Sequence, residues 1–401
     1  MRICLVRCPA PFLIDERVFP PLGLMAVGTA LKQKGHDVTI YDGHIDTIPL
    51  DFDNYGFGPT IAEYSFARDA KGKIKAHKPS AKVIIGGPYA TLNPGRCMDD
   101  NFDCVVRGDG ELVAEDAFAG SATLIEADEH PLDDYPTIDR SILDIRSYKY
   151  FLDGEPATTL MTSQGCPFKC AFCCKNYTTV RFKSIERVKE EIDDLHYNFK
   201  FNALAFPEDL FIMRRKRTES ICLHLKSLGI KWRCLVRADM VVKYGQEFTS
   251  LMADCGCVDV GMGIESGSDR ILKIVNKAED SSTILKAIEL LKGARIRVKG
   301  FFIVGLPGET RETITETRRF LDRAKLDDID IKIYQPYLGS PIWKEREKYD
   351  LQWDDNIDFD KLFYKGKYGE YYGNVRTSSL TTEQIYKEWV DIEYTYKRKA
   401  A

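Results

Sequence analysis

The sequence predicts an α/β protein: a doubly wound parallel sheet at the N-terminal side, then a partial (βα)6 barrel, then a small helical C-terminal tail. Three observations predict it. Short apolar runs alternate with helical patterns along most of the chain. In the second half the apolar runs recur at intervals of roughly 30 residues, six times, which is the rhythm of a barrel smaller than the eight-fold one. Gly-rich turns follow several of the strand ends, where open α/β sheets bind their ligands.

The first sheet is read from short strands at residues 3–6, 38–41, 55–57, 83–85 and 104–106. Leu22, Met25, Ala26, Thr29 and Ala30 recur at helical spacing after the first of them, and Gly35 is a good stop. Only about a dozen residues, 43–54, join the second strand to the third, so any helix there is a turn or two. Residues 1–127 form this domain, and the polar, weakly periodic stretch 128–157 reads as a linker. The barrel covers 158–345, with strands at 158–162, 203–206, 232–236, 258–263, 298–304 and 329–334. Ile185, Val188, Ile192 and Leu195 share one helical face, as do Ile284, Ala287, Ile288 and Leu291. Residues 346–401 are an extension ending in a polar helix at 383–397.

The chain has 401 residues, 44% of them apolar, a net charge of −4 and a pI of about 6.0. That size suits two or three domains, and the apolar share fills real cores. No basic block is present, which argues against bulk nucleic acid as a partner. The N-terminal apolar stretch is broken by Arg7 and Pro9, which does not fit a signal peptide. No apolar run reaches the length of about 18 residues that a membrane span needs, so a cytoplasmic address is expected. In a reducing compartment disulfides explain the 12 cysteines poorly, and most are expected to be core fillers.

The group at 166–174 is different. Directly after the first barrel strand runs Ser163-Gln164-Gly165-Cys166-Pro167-Phe168-Lys169-Cys170-Ala171-Phe172-Cys173. Three thiolates in so short a loop can converge on one face of an iron–sulfur cube, and thiolates are its usual ligands. Cys174 adjoins Cys173 and cannot reach the same cube, so one iron is left open to another ligand. A zinc site is the competing reading, although structural zinc usually takes two CxxC-like pairs.

The CxxxCxxC loop after the first strand of such a barrel resembles the radical S-adenosylmethionine (SAM) superfamily. Further segments, in the right order, resemble its branch with an N-terminal cobalamin-binding domain: Pro20-Pro21-Leu22-Gly23-Leu24, residues 85–91, 106–111, 263–268 and 300–310. The resemblance covers roughly residues 1–345. It implies Cys166, Cys170 and Cys173 as ligands of a [4Fe–4S] cluster whose open iron chelates SAM, so that one electron cleaves SAM to methionine and a 5′-deoxyadenosyl radical. An external electron donor such as flavodoxin or ferredoxin, and a small-molecule or peptide substrate, are implied with it. Glu208, with Asp209, is placed by the resemblance near the amino group of SAM, and the backbone of Phe172 near the adenine. Arg237 ends the third barrel strand, where a guanidinium suits the SAM carboxylate; a salt bridge is the alternative. Glu265 and Ser266 could bond the ribose hydroxyls or simply cap a turn. Gly305, Pro307 and Glu309 lie in a turn where bare backbone can approach the flat adenine, or in a plain turn.

The D-x-H-x-x-G loop that ligates cobalt in other cobalamin proteins is missing: Asp42-Gly43-His44 has no Gly where that motif has one. Tyr89 stands where a His is common in the family, and Gln164 where an Arg is frequent. The leading expectation is a cobalamin-dependent radical SAM methyltransferase. The second keeps the cluster chemistry for a rearrangement, cyclisation or oxidation and makes the N-terminal sheet a substrate-binding module or lid. The third is a non-catalytic zinc or electron-transfer protein.

Overall fold

The computed structural model describes residues 1–10, 15–177, 179–354, 357 and 374–400. It divides into two units: residues 1–149 form the first, and the second begins at Tyr150.

In the first unit β1 (Arg2–Val6), α1 (Leu22–Gln33), β2 (Asp37–Tyr41), β3 (Asn54–Phe57), α2 (Tyr64–His77), β4 (Lys82–Ile85), α3 (Gly87–Leu92), α4 (Pro94–Asp99), β5 (Cys104–Arg107), α5 (Ala114–Ala119) and β6 (Leu124–Glu126) alternate. The strands make one wholly parallel sheet in the order β2-β1-β3-β4-β5-β6. Ile3, Cys4, Leu5, Val6, Tyr55, Val83, Ile85 and Val105 are buried, because helices cover the sheet and a parallel strand can then be apolar on both faces. The sheet has six strands where five were expected; β6 is three residues long and partly exposed at the edge, so its apolar signal is weak. The short crossover is as expected, with a single 3-10 turn at Ile45–Thr47.

The stretch 128–157 is not one linker. Tyr135, Ile145 and Tyr148 are buried in the first unit, Tyr135 donating to Asp109 at 2.7 Å and Tyr148 donating to Asp42. From Tyr150 the chain enters the second sheet as an antiparallel hairpin, β7 (Tyr150–Leu152) and β8 (Glu155–Thr159).

The second unit continues with β9 (Ser163–Gln164), β10 (Arg181–Phe182), α6 (Ile185–Tyr197), β11 (Ala203–Phe206), α7 (Arg215–Ser227), β12 (Lys231–Val236), α8 (Ala238–Asp254), β13 (Cys257–Glu265), α9 (Asp269–Ile274), α10 (Ser281–Gly293), β14 (Arg297–Val304), α11 (Arg311–Ala324) and β15 (Asp328–Ile333). Its sheet runs β15-β14-β13-β12-β11-β8-β7, parallel except for β7. This is the expected partial (βα)6 barrel. Three of its helices, α6, α10 and α11, start where the sequence supplies caps: Ser184 accepts from the Arg187 N–H, Asp280 from Thr283, and Thr310 from Thr313. Cys222, Cys234, Cys255 and Cys257 are buried fillers of this core.

The chain ends with α12 (Pro341–Lys344), β16 (Gln352–Trp353), β17 (Val375–Arg376) and α13 (Thr382–Ala400). The described residues of the extension belong to the barrel unit. Ile385, Trp389 and Ile392 of α13 are buried, and the Trp389 indole N–H donates to the Ile331 carbonyl of β15 at 2.9 Å, covering the sheet's open edge.

Candidate functional site

Beyond β8 the chain turns through β9 into the cysteine loop. Gly165 opens the loop at φ +89°, and a Cβ there would run into the Thr179 carbonyl, so only glycine fits. Cys166, Cys170 and Cys173 then border one cavity of about 460 Å3 among the barrel's strand ends. All three are free thiols; Cys170 is buried and the other two are half-buried. Lys175 donates to the Cys166 carbonyl at 2.9 Å, and Ile342 N–H to the Ala171 carbonyl at 3.1 Å, fixing the loop's path. Cys174 also reaches the cavity wall, but its Sγ donates to the Leu338 carbonyl at 3.1 Å. Burial pushes the Cys173 thiol up to about 12, with Cys170 the next cause, so ionising it needs a nearby positive charge. Among the described residues no three His, Cys, Asp or Glu side chains gather as for a single metal ion. Three free thiols that border one cavity are the donor set of an iron–sulfur cluster.

The walls hold Phe172, Glu208, Asp209, Arg237, Glu265 and Lys277, with Gly261 and Gly263 keeping β13 bare where it faces the cavity. A Cβ at Gly261 would lie 2.6 Å from the Phe301 ring, and one at Gly263 2.6 Å from Glu265 Oε1. The volume suits a small cofactor of SAM's size.

Most of these side chains have partners within the chain. Glu208 is buried and both of its oxygens are taken: Oε1 accepts from the Thr162 and Ser163 hydroxyls (2.8 and 2.9 Å), and Oε2 from their backbone N–H groups (2.5 and 3.1 Å). It fastens the strand that leads into the cysteine loop. Burial raises its pKa, and these hydrogen bonds oppose the rise. Asp209, at the exposed rim of the same cavity, has Lys175 as its opposite charge. Arg237 is committed as well. It donates to Asp239 (3.2 and 3.3 Å) and the Lys277 carbonyl (3.0 Å), pairs with Glu279 at 3.4 Å, and stacks 3.6 Å over the Phe168 ring. Glu265, at φ +64° on an irregular end of β13, accepts from Lys277 at 3.2 Å and lines the cavity.

The other predicted residues are not brought to this cavity. Ser266 is fully buried, bonded to Thr317 at 3.2 Å and accepting from the Ser268 N–H, which is the capping alternative. Gly305, Pro307 and Glu309 are buried in a turn covered by the extension: a Cβ at Gly305 would lie 3.1 Å from Ile385 and 3.3 Å from Val375. Glu309 accepts from the Gly305 N–H at 2.6 Å, while Thr377 donates to its carbonyl at 2.9 Å. Burial without a cation raises the Glu309 carboxyl to about 8. Lys277, a lone lysine after a short helix, has no periodic signal in the sequence to mark it as part of this wall.

The first unit offers a different kind of site. Its strand order reverses between β1 and β3, and ligands of such sheets sit at that switch point beyond the carboxyl ends. Next to it, the turns after β3 and β4 carry glycines. Gly87 has φ +77°, and a Cβ on it would lie 3.0 Å from the Gly58 Cα, so the turns after β3 and β4 meet with no side chain between them. Such a floor fits the close approach of a flat ring system like a corrin. Tyr89 is buried and stacked 4.0 Å from Tyr64, and His44 lies against Asp46 at 3.3 Å.

Known proteins agree with this pairing of units. Residues 160–321 match the profile of the radical SAM superfamily, and residues 16–118 that of the B12 binding domain. An uncharacterized methyltransferase of Pyrococcus horikoshii is 29% identical over 86% of this chain and 83% of its own length. The bacteriochlorophyllide d C-8(2)-methyltransferase of Chlorobaculum tepidum is 25% identical over 96% and 88%. Among solved structures, the cobalamin-dependent radical enzyme OxsB has a TM-score of 0.73 at 17% identity, covering 98% of this chain and 67% of its own. The radical SAM methyltransferase TsrM of Kitasatospora setae, solved with cobalamin and a [4Fe–4S] cluster, has a TM-score of 0.67 at 16% identity, covering 89% and 81%. A [4Fe–4S] cluster, SAM and cobalamin are the cofactors that accompany this pair of domains. The chain carries a B12-binding domain at residues 16–118 ahead of a radical SAM domain at residues 160–321.

Proposed function

We propose that this enzyme transfers a methyl group to an unactivated carbon of a small-molecule or peptide substrate. The observation that carries the reading is the pairing of a three-thiol cavity in one unit with a glycine-floored switch point in the other. Cys166, Cys170 and Cys173 would hold the cluster, and the loops of Gly58, Gly87 and Gly108 the corrin. When bound, the cluster and SAM supply a carbon-centred radical, and cobalamin supplies the methyl group.

The chain's own residues orient these groups and exclude water. Asp209, at the cavity rim, is placed to pair with an ammonium, while Glu208 acts one step back by holding Thr162 and Ser163. Phe172, Leu235 and Phe301 give the cavity an apolar wall, which keeps solvent from a reactive radical. Glu265 lines the same wall, available to a ribose hydroxyl.

A second reading has support of its own. The anaerobic magnesium-protoporphyrin IX monomethyl ester cyclase of Cereibacter sphaeroides is 26% identical over 67% of this chain and 48% of its own length, so a cobalamin-independent ring closure started at the cluster is the alternative. Anaerobic reconstitution with SAM and reductant, with and without cobalamin, tests the proposal. Formation of 5′-deoxyadenosine together with cobalamin-dependent consumption of a second SAM is expected. Cleavage of SAM that is indifferent to cobalamin contradicts methyl transfer.

A further inference from the structure

The turn after α9 is built unlike its neighbours. Asn276 and Ala278 both stand in the left-handed region, at φ +52° and +57°, with Lys277 between them. Asparagine tolerates that conformation and alanine does so at a cost, so the turn is held by its surroundings. The first left-handed residue closes α9, since Asn276 N–H donates to the Lys273 carbonyl and Lys277 N–H to that of Leu272. Ending the helix does not require the second.

What the turn does touch is the cysteine loop, on both sides of Cys170. The Asn276 amide donates to the Lys169 carbonyl at 2.8 Å, and the Ala171 N–H donates to the Val275 carbonyl at 2.8 Å. The two left-handed residues carry the Lys277 side chain inward to the wall that Cys170 also lines. Its Nζ lies 3.2 Å from Glu265 and 3.5 Å from Glu279, whose side chain is wholly buried. Arg237, stacked on Phe168 of the loop, donates to the Lys277 carbonyl and holds the turn from behind. Burial works against the ammonium, yet the two carboxylates outweigh it and keep Lys277 above its ordinary pKa, hence charged.

We propose that the turn at 275–278 is the second half of the cluster site: Val275 and Asn276 clamp the Cys170 segment, and Lys277 is a positioning residue that holds a fixed positive charge against the Cys170 thiolate. The inference rests on the cluster assignment above. A fixed cation there favours the reduced, more negative cluster and raises its potential, whereas the carboxylates of Glu265 and Glu279 limit the rise.

The test is a potentiometric titration of the full-length, anaerobically reconstituted protein, followed by electron paramagnetic resonance. Lys277→Met keeps the length of the stem without the charge. It should retain iron and lower the fraction of cluster reduced at a fixed potential about tenfold, ~59 mV for one electron. Lys277→Arg should restore the wild-type midpoint. Glu279→Gln removes a counter-charge and should move the midpoint upward, giving a test of opposite sign that stands if Lys277→Met fails to fold. Asn276→Gly keeps the left-handed backbone without the clamp, and a chelator should strip its iron about fivefold faster. A wild-type protein that assembles no cluster contradicts the cluster assignment itself. A wild type that does, with Lys277→Met at the same midpoint or Glu279→Gln unmoved, overturns this inference alone.

Discussion

The two candidate sites are made of different material. In the barrel unit the site consists of side chains: three thiols, a bonded glutamate and a buried group of charges around Lys277. In the first unit it consists of their absence, with Gly58 and Gly87 meeting backbone to backbone and Gly108 at φ +97° beside the Ala127 carbonyl. A site of side chains fails when one group is lost. A site of bare backbone fails when an atom is added.

The largest effect expected from this contrast is loss of the cluster. Cys166→Ala, Cys170→Ala and Cys173→Ala should each abolish iron binding while leaving cobalamin retention by the first unit intact, and Cys174→Ala should keep its iron. Iron and cobalt analysis of each reconstituted variant checks this; loss of both metals together would break the separation of the two sites.

Next comes the buried Glu309. Its folded pKa of about 8 lies above the ordinary 4.5, so the folded chain holds the proton more tightly. The stability this confers is complete below about pH 4.5 and lost as the pH rises through about 8. Glu309→Gln carries no titrating group, so its unfolding midpoint should gain on the wild type across that window and run parallel to it above. A constant difference between the two would contradict a protonated Glu309.

What the sequence made legible follows the same division. The cysteine triplet announces itself by spacing, and the alternation of strands and helices yields both sheets. The side-chain roles were harder to see, because Glu208, Arg237 and Ser266 occupy the right strand ends but have partners from distant segments. Thr162 lies 46 residues from Glu208, Lys277 40 from Arg237 and Thr317 51 from Ser266. β6 was too short to register, whereas the hairpin at 150–159 had its signal in Asp153-Gly154, both at positive φ as a type I′ turn requires, inside a stretch otherwise polar. In α13 the apolar stripe of Ile385, Trp389 and Ile392 was present at helical spacing, diluted by Tyr, Lys and Glu. The switch-point loops were visible as glycines, but that Gly87 abuts Gly58 is a fact of three dimensions.

Two smaller effects sharpen the contrast. Glu208→Ala leaves the buried N–H and hydroxyl donors of Thr162 and Ser163 without an acceptor and should cost about 3 kcal/mol in a urea titration. Glu208→Gln, which keeps one acceptor, should cost less. Gly87→Ala forces a side chain into a left-handed position against Gly58 and should cost about 1–2 kcal/mol. Its cobalamin retention should fall while its iron content stays at the wild-type level. Equal retention by Gly87→Ala and wild type would mean that the glycine floor serves only the fold.

The most direct test of the account is the metal content of the full-length protein after anaerobic reconstitution with iron, sulfide and hydroxocobalamin, followed by gel filtration. Stoichiometric cobalt co-eluting with a four-iron cluster is the predicted result. A protein that carries the cluster and cleaves SAM but retains no cobalt would contradict it, and would leave the first unit as a substrate-binding domain or lid.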